Sequence, residues 1–413
     1  MLPDFFCRIR KGTCLDIMTK SVYTNGILPE RKTIMQKYAS EKQTYTDPNT
    51  GAEVTRLTGW RANSNHLYFT NNSFYDGGSS IIFESDRDNA VNLCSLDLVT
   101  GEIERLTDLP LQPYPKDYNL HEAYVDPVNA VCCFFAGGVL YRLDIHEKIT
   151  TPIYRLPDGY YHHISSITAD GKFVLTSIYE DTTAKTSGDR TLRAIFESHP
   201  HSQILRIPVD GGIPDVVWEE KNFIAHVNAS PTDPDVLTFC HEGPWNLVDH
   251  RLWLCRISTG EVKKLHPCAE KEVIGHEYWY ADGKWVGYHG HIGGKRQLGR
   301  VNLDGTVDKA YEFPFNTGHI YSRDERLVIG DGSAEGKYLR LWRLMEDGYE
   351  QPRALCAHNC TFKRQRAHVH PAMTPDGKAV LYTSDETGYE QLYLVRLPED
   401  LTTLPMLDTL SKI

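Results

Sequence analysis

The segment Gln365–Pro371, with the sequence Gln-Arg-Ala-His-Val-His-Pro, carries residue types that could bind a metal ion. Side chains alternate faces along an extended segment, so His368 and His370 are expected on one face, about 7 Å apart. Gln365 adds an amide oxygen upstream of them. Imidazole nitrogen suits Mn, Fe, Co, Ni or Zn, and an amide oxygen favours a harder ion such as Mn²⁺. The spacing predicts part of a divalent-metal site whose other ligands come from elsewhere. The alternative is a histidine pair that only lines a polar strand end.

Histidine also recurs just before short apolar strands in other parts of the chain. His226, His276 and His319 occupy such positions, as His368 and His370 do. Repeated structural units place equivalent residues at equivalent points of a fold. The recurrence therefore predicts histidine side chains that converge on one place. For any single position, the alternative is a structural histidine bonded to a neighbouring loop.

The elements that must position these histidines are repeated β-strands. A strand–turn–strand unit recurs along the chain, and its Asp-Gly or Thr-Gly turns supply the positive-φ residue that a tight hairpin needs. A short apolar strand precedes each unit, and we interpret it as the innermost strand of a blade. These strands begin at Ile81, Val131, Phe173, Val236, Trp285, Leu327 and Val380. Their intervals of about 40–60 residues are close to those of propeller blades. The pattern predicts an all-β chain folded as a single seven-bladed β-propeller.

The N-terminal part of the chain suggests how the ring closes. The segment Gly51–Thr58 is similar to the hairpin strand Gly101–Thr107, but it precedes the first complete blade. The seventh unit, in contrast, ends soon after Leu397. We therefore predict that the N-terminal strand becomes the outermost strand of the last blade, which removes an open edge. The predicted boundaries are a lead-in over residues 1–44 and a propeller over residues 45–413, and the first 17 residues are expected to be a dispensable extension or a misplaced start.

Composition limits the compartments and partners. The chain has 413 residues and a net charge of −11, which argues against nucleic acid or an anionic membrane surface as partner. No apolar run approaches the ~20 residues that span a bilayer, and the N-terminus lacks the apolar core of a secretory signal. Ten scattered cysteines indicate reduced thiols, so we expect a cytoplasmic protein. The segment Cys356–Cys360 is similar to half of a zinc site, but no matching second pair follows it.

Several motifs together resemble the oligogalacturonate lyases, cytoplasmic propeller enzymes of pectin catabolism. The motifs are His241-Glu-Gly-Pro, Leu247-Val-Asp-x-Arg251, His276-Glu-x-Trp279, Thr317-Gly-His319 and Gln365-x-x-His-x-His-Pro371. The resemblance covers about residues 45–400 and is strongest in the C-terminal half. The first three blades match more loosely, and the N-terminal extension is additional.

The resemblance implies a Mn²⁺-dependent β-elimination on short, often unsaturated, oligogalacturonides. The positions that match the family's metal ligands are His319, Gln365, His368 and His370. His276 matches the general base, and Arg251 matches the charged neighbour of that base. The expected partner is thus a small anionic oligouronide.

The chemistry of this reaction explains the residue types. Elimination across C4–C5 of a uronate removes a proton α to a carboxylate, and this proton is not acidic while the carboxylate stays anionic. A metal ion on the carboxylate acts as a Lewis acid, and a neutral imidazole can then take the proton. The alternative function is a non-catalytic binding module of the TolB-like or peptidase-associated type. The chain contains no Gly-x-Ser-x-Gly motif, so a peptidase is not expected.

Overall fold

The strands of this chain form seven antiparallel sheets that succeed one another along the sequence. The computed structural model describes residues 31–32, 36–109, 120–313, 317–333 and 336–410. The N-terminal strands are β1 (Arg31–Lys32), β2 (Gln36–Tyr38), β3 (Gln43–Thr46) and β4 (Glu53–Arg56). Blade 1 contains β5 (Ser64–His66), β6 (Phe74–Tyr75), β7 (Ser80–Ser85), β8 (Asn92–Asp97) and β9 (Ile103–Arg105). Blade 2 contains β10 (Tyr124–Asp126), β11 (Val131–Ala136), β12 (Val139–Asp144) and β13 (Ile149–Arg155).

The remaining blades follow in chain order. Blade 3 contains β14 (Tyr160–Ile167), β15 (Phe173–Glu180), β16 (Ser202–Pro208) and β17 (Asp215–Glu220). Blade 4 contains β18 (Ile224–Ala229), β19 (Val236–His241), β20 (Leu252–Arg256) and β21 (Glu261–Lys264). Blade 5 contains β22 (Glu272–Trp279), β23 (Trp285–Ile292), β24 (Lys295–Asn302) and β25 (Asp308–Glu312). Blade 6 contains β26 (Ile320–Ser322), β27 (Leu327–Gly330), β28 (Tyr338–Met345), β29 (Gly348–Tyr349) and β30 (Arg353–Ala357), and blade 7 contains β31 (Ala372–Met373), β32 (Ala379–Ser384) and β33 (Gln391–Arg396).

Helical structure is sparse among the described residues. The α-helices are α1 (Leu192–Glu197) and α2 (Leu407–Leu410), and one-turn 3₁₀ helices lie at Asp76–Gly78, Arg87–Asn89, Leu120–Glu122, Gln365–Ala367 and Leu401–Thr403. None of these helices is long and apolar enough to cross a membrane. The predicted all-β, seven-bladed propeller is confirmed.

The second strand of each blade forms the core of the ring. All six residues of β11 are buried, and so are all six of β32. A strand buried on both faces is apolar throughout rather than alternating, because each face packs against a neighbouring blade. The clusters of buried residues accordingly join adjacent blades. In one of them, Leu381 and Leu392 of blade 7 pack together with Phe83 and Leu96 of blade 1.

The interpretation of these apolar strands as innermost was wrong. A further strand lies inside each of them: β5, β10, β14, β18, β22, β26 and β31. Several of these inner strands are only two or three residues long, and others contain bulges, so they lack a long apolar or alternating pattern. The histidines singled out from the sequence lie within or directly beside these inner strands.

The N-terminal strand closes the ring as predicted. Strand β4 pairs antiparallel with β33, with Val54 opposite Val395, and β3 then pairs with β4. The lead-in also contributes to the sheets, because β2 pairs with β9 and β1 pairs with β13. The division at residues 44 and 45 stays a prediction. The first 17 residues lie outside the described part of the chain.

Candidate metal centre and catalytic site

Bulges in the inner strands turn histidine side chains toward the centre of the ring. The register shifts between Ala225 and Asn228 in β18, and between Gly275 and Tyr278 in β22. His226 and His276 lie within these shifts and have φ angles of 48° and 54°. Left-handed backbone costs a non-glycine residue about 1–3 kcal/mol, and bulges of this kind re-aim side chains next to active sites.

A pair of aromatic residues lies where these histidines meet. Tyr68 and Phe69 follow the inner strand of blade 1 and are buried. The Tyr68 ring lies between 5.1 and 6.4 Å from the rings of four histidines, which are His121, His226, His319 and His370. Phe69 lies 6.0 Å from the His276 ring. The sequence reasoning missed both residues, and their neighbour His66 is the one signal that could have pointed to them.

Three of the predicted metal ligands converge. Ring nitrogens of His319, His368 and His370 all lie within 4.8 Å of one another, and Nε2 of His319 is 3.2 Å from Nε2 of His370. His319 donates its Nδ1–H to Asp331 Oδ2 at 2.7 Å. This carboxylate fixes the tautomer of His319, so that its Nε2 lone pair is available to a ligand.

The chemistry of this cluster fits a divalent metal ion. Burial, and next the charge of His319, lowers the pKa of His370 well below its usual value, and burial likewise lowers the pKa of His368. Both rings are therefore neutral near pH 7, as metal ligands must be. The Nδ1 atoms of His368 and His370 are buried and have no hydrogen-bond partner. Unsatisfied buried nitrogens among neutral imidazoles are expected where a cation is to bind.

Gln365 begins the short 3₁₀ helix that leads into His368. Its backbone carbonyl accepts a hydrogen bond from the N–H of His368 at 3.2 Å, while its side chain is exposed. The fold thus holds its backbone next to the cluster, and the role of its amide oxygen as a ligand stays a prediction.

His276, the predicted base, lies against the metal cluster. Its ring centroid is 4.6 Å from that of His319, and its Nδ1 is 2.9 Å from Nε2 of His289. Burial, followed by the charges of His319, His289 and Arg251, lowers the pKa of His276 well below its usual value. A neutral His276 can accept a proton. His289 was not predicted, although it directly follows the apolar run that begins β23 at Trp285.

Arg251 is buried in a network of two carboxylates. Its Nε donates to Glu277 Oε1 at 2.6 Å, and its two terminal nitrogens donate to the two Glu242 oxygens at 3.0 and 3.1 Å. Burial alone would raise the pKa of Glu242, but Arg251 and His226 hold it well below its usual value. Arg251 is thus fixed near His276, with a charge that disfavours the imidazolium of that residue. His241, in contrast, pairs with Glu220 at 2.7 Å.

A cavity of about 290 Å³ adjoins His276. Its lining includes Trp245, His289 and Arg296. The Trp245 ring is 5.6 Å from the His276 ring, and the backbone of Gly275 passes so close to the indole that a side chain there would overlap it. An aromatic face beside a cation is suited to binding an anionic sugar next to the candidate base.

Comparisons with known proteins agree on one family. A sequence model described as oligogalacturonate lyase matches residues 33–339. The oligogalacturonide lyase of Pectobacterium atrosepticum is 27% identical over an alignment of 388 residues, which covers 87% of this chain and 96% of that protein. The oligogalacturonate lyase of Dickeya dadantii is 26% identical over an alignment of 393 residues, which covers 89% of this chain and 98% of that protein.

Solved structures show the same similarity. An oligogalacturonate lyase in complex with manganese has a TM-score of 0.79 and 26% identity, over 89% of this chain and 99% of that one. The oligogalacturonate lyase from Vibrio parahaemolyticus has a TM-score of 0.80 and 22% identity, over 89% and 99% of the two chains, which supports the fold.

Proposed function

Because the chain belongs to the oligogalacturonate lyase family, we propose that it cleaves short oligogalacturonides by metal-dependent β-elimination, which leaves a 4,5-unsaturated sugar. This membership confirms the family and the lyase class predicted from the sequence, and it does not favour the alternative of a binding module. The observation that carries the proposal is the cluster of His319, His368 and His370 beside the neutral, buried His276.

The proposed metal ion is Mn²⁺, held by His319, His368, His370 and the amide oxygen of Gln365. The resemblance to a lyase in complex with manganese supports this choice, as does a mixed nitrogen and oxygen ligand set. When bound, such an ion neutralises the substrate carboxylate and stabilises the negative charge that develops when the neighbouring C5 proton leaves. Asp331 supports the set by holding the His319 ring in one orientation.

His276 is the proposed base. If its Nδ1–H donates to His289 Nε2, its own Nε2 lone pair is available for the proton at C5. As that proton moves to His276, the C5 electron pair forms the C4=C5 double bond, and the C4–O bond breaks toward the leaving sugar. The leaving oxygen takes up a proton from water or from a side chain. Burial, with the charges of His319, His289 and Arg251, keeps His276 neutral before the transfer. Glu242 and Glu277 hold Arg251 in place.

The experiment is to follow the ultraviolet absorbance of the new C4=C5 double bond, which is conjugated with the carboxylate. The chain is freed of metal with a chelator, then supplied with Mn²⁺ and short oligogalacturonides. We expect absorbance to rise only with Mn²⁺. A neutral galactose oligomer serves as the matched control, because it lacks the carboxylate that makes the C5 proton removable. Cleavage without the absorbance of the new double bond would contradict the proposal, and so would elimination that continues after the chelator has removed the metal.

We further propose that the protein acts in the cytoplasm. The supporting observation is that the eight cysteines in the described residues are all free and that seven of them are buried. Thiols in a secreted protein of this size would more often form disulfides. The small anionic oligouronide is the proposed partner, without nucleic acid or membrane, in keeping with the net charge of −11.

A further inference from the structure

A second group of potential metal ligands lies between blades 4 and 5, in the loop that follows β21. It consists of His266, Cys268 and Glu272, whose donor atoms all lie within 4.8 Å of one another. His266 is only 7% exposed, and its ring packs 4.4 Å from the ring of Tyr288 in β23. We refer to these three residues as the blade 4–5 cluster.

The His266 ring is oriented as in a metal site supported by a carboxylate. Its Nδ1 donates to Asp308 Oδ2, and Asp308 is itself held by the Tyr288 hydroxyl at 2.6 Å. Its Nε2 faces the other members of the cluster and makes no hydrogen bond, although Glu272 Oε1 lies 3.1 Å away. A histidine that gives one ring nitrogen to a carboxylate and turns the other toward further donor groups is oriented as zinc ligands are.

The other two members are also held in place by neighbours. Glu272 Oε2 accepts the backbone N–H of Ala269 at 2.7 Å, and Gln297 donates to Oε1. Burial raises the pKa of the Cys268 thiol, and the backbone N–H of Arg251, which donates to the sulfur, partly opposes this. These contacts fix both donor groups on the side that Nε2 of His266 faces.

We propose that the blade 4–5 cluster binds Zn²⁺ through His266 Nε2, Cys268 Sγ and a Glu272 oxygen, with a solvent molecule as the fourth ligand. A thiolate, an imidazole and a carboxylate suit Zn²⁺ in tetrahedral geometry, whereas the softer thiolate does not suit Mn²⁺. Binding replaces the thiol proton of Cys268, which is released to solvent. The site is separate from the three-histidine cluster and does not depend on the proposed function.

Such a site would have a structural role. Glu272 begins the inner strand β22, which carries His276, while His266 belongs to the loop that connects blade 4 to blade 5. The ion would thus join the connecting loop to the strand that positions the candidate base. The competing arrangement has a protonated His266 between Asp308 and Glu272. Burial alone would lower the pKa of His266, but these two carboxylates raise it above its usual value.

The test uses Co²⁺ as a spectroscopic probe for Zn²⁺ in the full chain. A thiolate bound to Co²⁺ gives a sulfur-to-metal charge-transfer band, which imidazole ligands alone do not give. We expect this band in the wild-type chain loaded with Co²⁺, and we expect added Zn²⁺ to displace the Co²⁺ and remove the band. We also expect the band in His370→Ala, which removes a ligand of the three-histidine cluster. In this variant, where the three-histidine cluster no longer competes for the ion, one equivalent of Zn²⁺ should be enough to remove it. The band should be absent from Cys268→Ser.

Two matched controls separate the cluster from other thiols. Cys255→Ser and Cys240→Ser each remove a buried thiol of blade 4, and both should keep the band. Glu272→Gln should keep the fold but weaken Zn²⁺ binding at least tenfold. Loss of a residue that only supports a metal ligand lowers metal affinity by ~10–100-fold, and loss of a ligand itself should cost no less. The proposal is overturned if wild type gives no band, as a protonated His266 predicts, or if Cys268→Ser keeps it in full.

Discussion

Replacement of Arg251 by lysine tests the buried network beside His276. Arg251 and Glu277 are each only 4% exposed, and the guanidinium makes three hydrogen bonds to two carboxylates. The compact ammonium of lysine can serve one carboxylate but not both with this geometry. Two charge-assisted bonds would be lost at about 1.5–3 kcal/mol each, and one buried carboxylate would be left without its partner. We therefore expect Arg251→Lys to destabilise the fold by about 3–5 kcal/mol.

The assay is the midpoint of unfolding in guanidinium chloride, measured beside the elimination rate. Arg256→Lys is the matched control, because Arg256 in the same blade has a side chain 41% exposed and pairs with Asp235 on the surface. That change should cost less than about 1 kcal/mol. Adding Glu277→Gln to Arg251→Lys should restore part of the stability, since the carboxylate left behind becomes neutral. A loss for Arg251→Lys no larger than for Arg256→Lys would refute the reasoning.

Three further predictions concern histidines. His370→Ala should abolish Mn²⁺ retention and activity while the fold persists, because the ligand set loses a member. The metal content of the purified variant checks the first result, and circular dichroism checks the fold. His276→Ala should lower the elimination rate by about 10²–10⁴-fold and retain metal, as for a missing general base. Burial lowers the pKa of His162 and of His358 to about 4. The unfolded chain therefore binds protons below about pH 6.5 that the folded chain does not, so stability should fall as the pH drops toward 4, by about 1.4 kcal/mol per pH unit for each histidine.

Each of these predictions has its own control. Chelator-insensitive activity in His370→Ala would show that the metal site lies elsewhere. If His276→Ala keeps a rate near wild type, the base is another residue, and His226 is the next candidate because it faces the same centre. For the pH effect, His162→Gln should reduce the slope of stability against pH between 4 and 6.5, whereas the exposed His199→Gln should leave it unchanged. Equal slopes in all three proteins would contradict the assignment.

The sequence predicted the blades well because their signals are local. Turns such as Asp-Gly and runs such as Val131–Ala136 are readable without knowledge of the fold, and ring closure followed from the similarity of Gly51–Thr58 to Gly101–Thr107. The innermost strands were misplaced for a physical reason. They are short, bulged and partly polar because they face one another across the centre of the ring, and periodicity does not detect such strands.

The candidate site could be predicted only in part. Recurrence before the apolar strands of four blades, together with the family resemblance, identified His319, His368 and His370, and the structure brings these three together. The pairing of Arg251 with Glu277 could not be predicted, since the two residues are 26 positions apart in the sequence. The residues that flank Glu277 in the sequence do not indicate a buried charge. Tyr68 was missed because an aromatic residue after a strand is typical of any core.

The closure of the ring by β4 also affects how the chain is made. Thr58, just after β4, accepts a hydrogen bond from the backbone N–H of Leu392, 334 residues later. At ribosomal rates of about 5–20 residues per second, the synthesis of β33 follows that of β4 by roughly 20–70 s. Throughout synthesis the first strands of the propeller therefore keep an edge that other nascent chains can pair with. A circular permutant in which Glu53–Arg56 follows Arg396 would build the last blade from consecutive strands, and it should reach the folded state with less aggregation during expression.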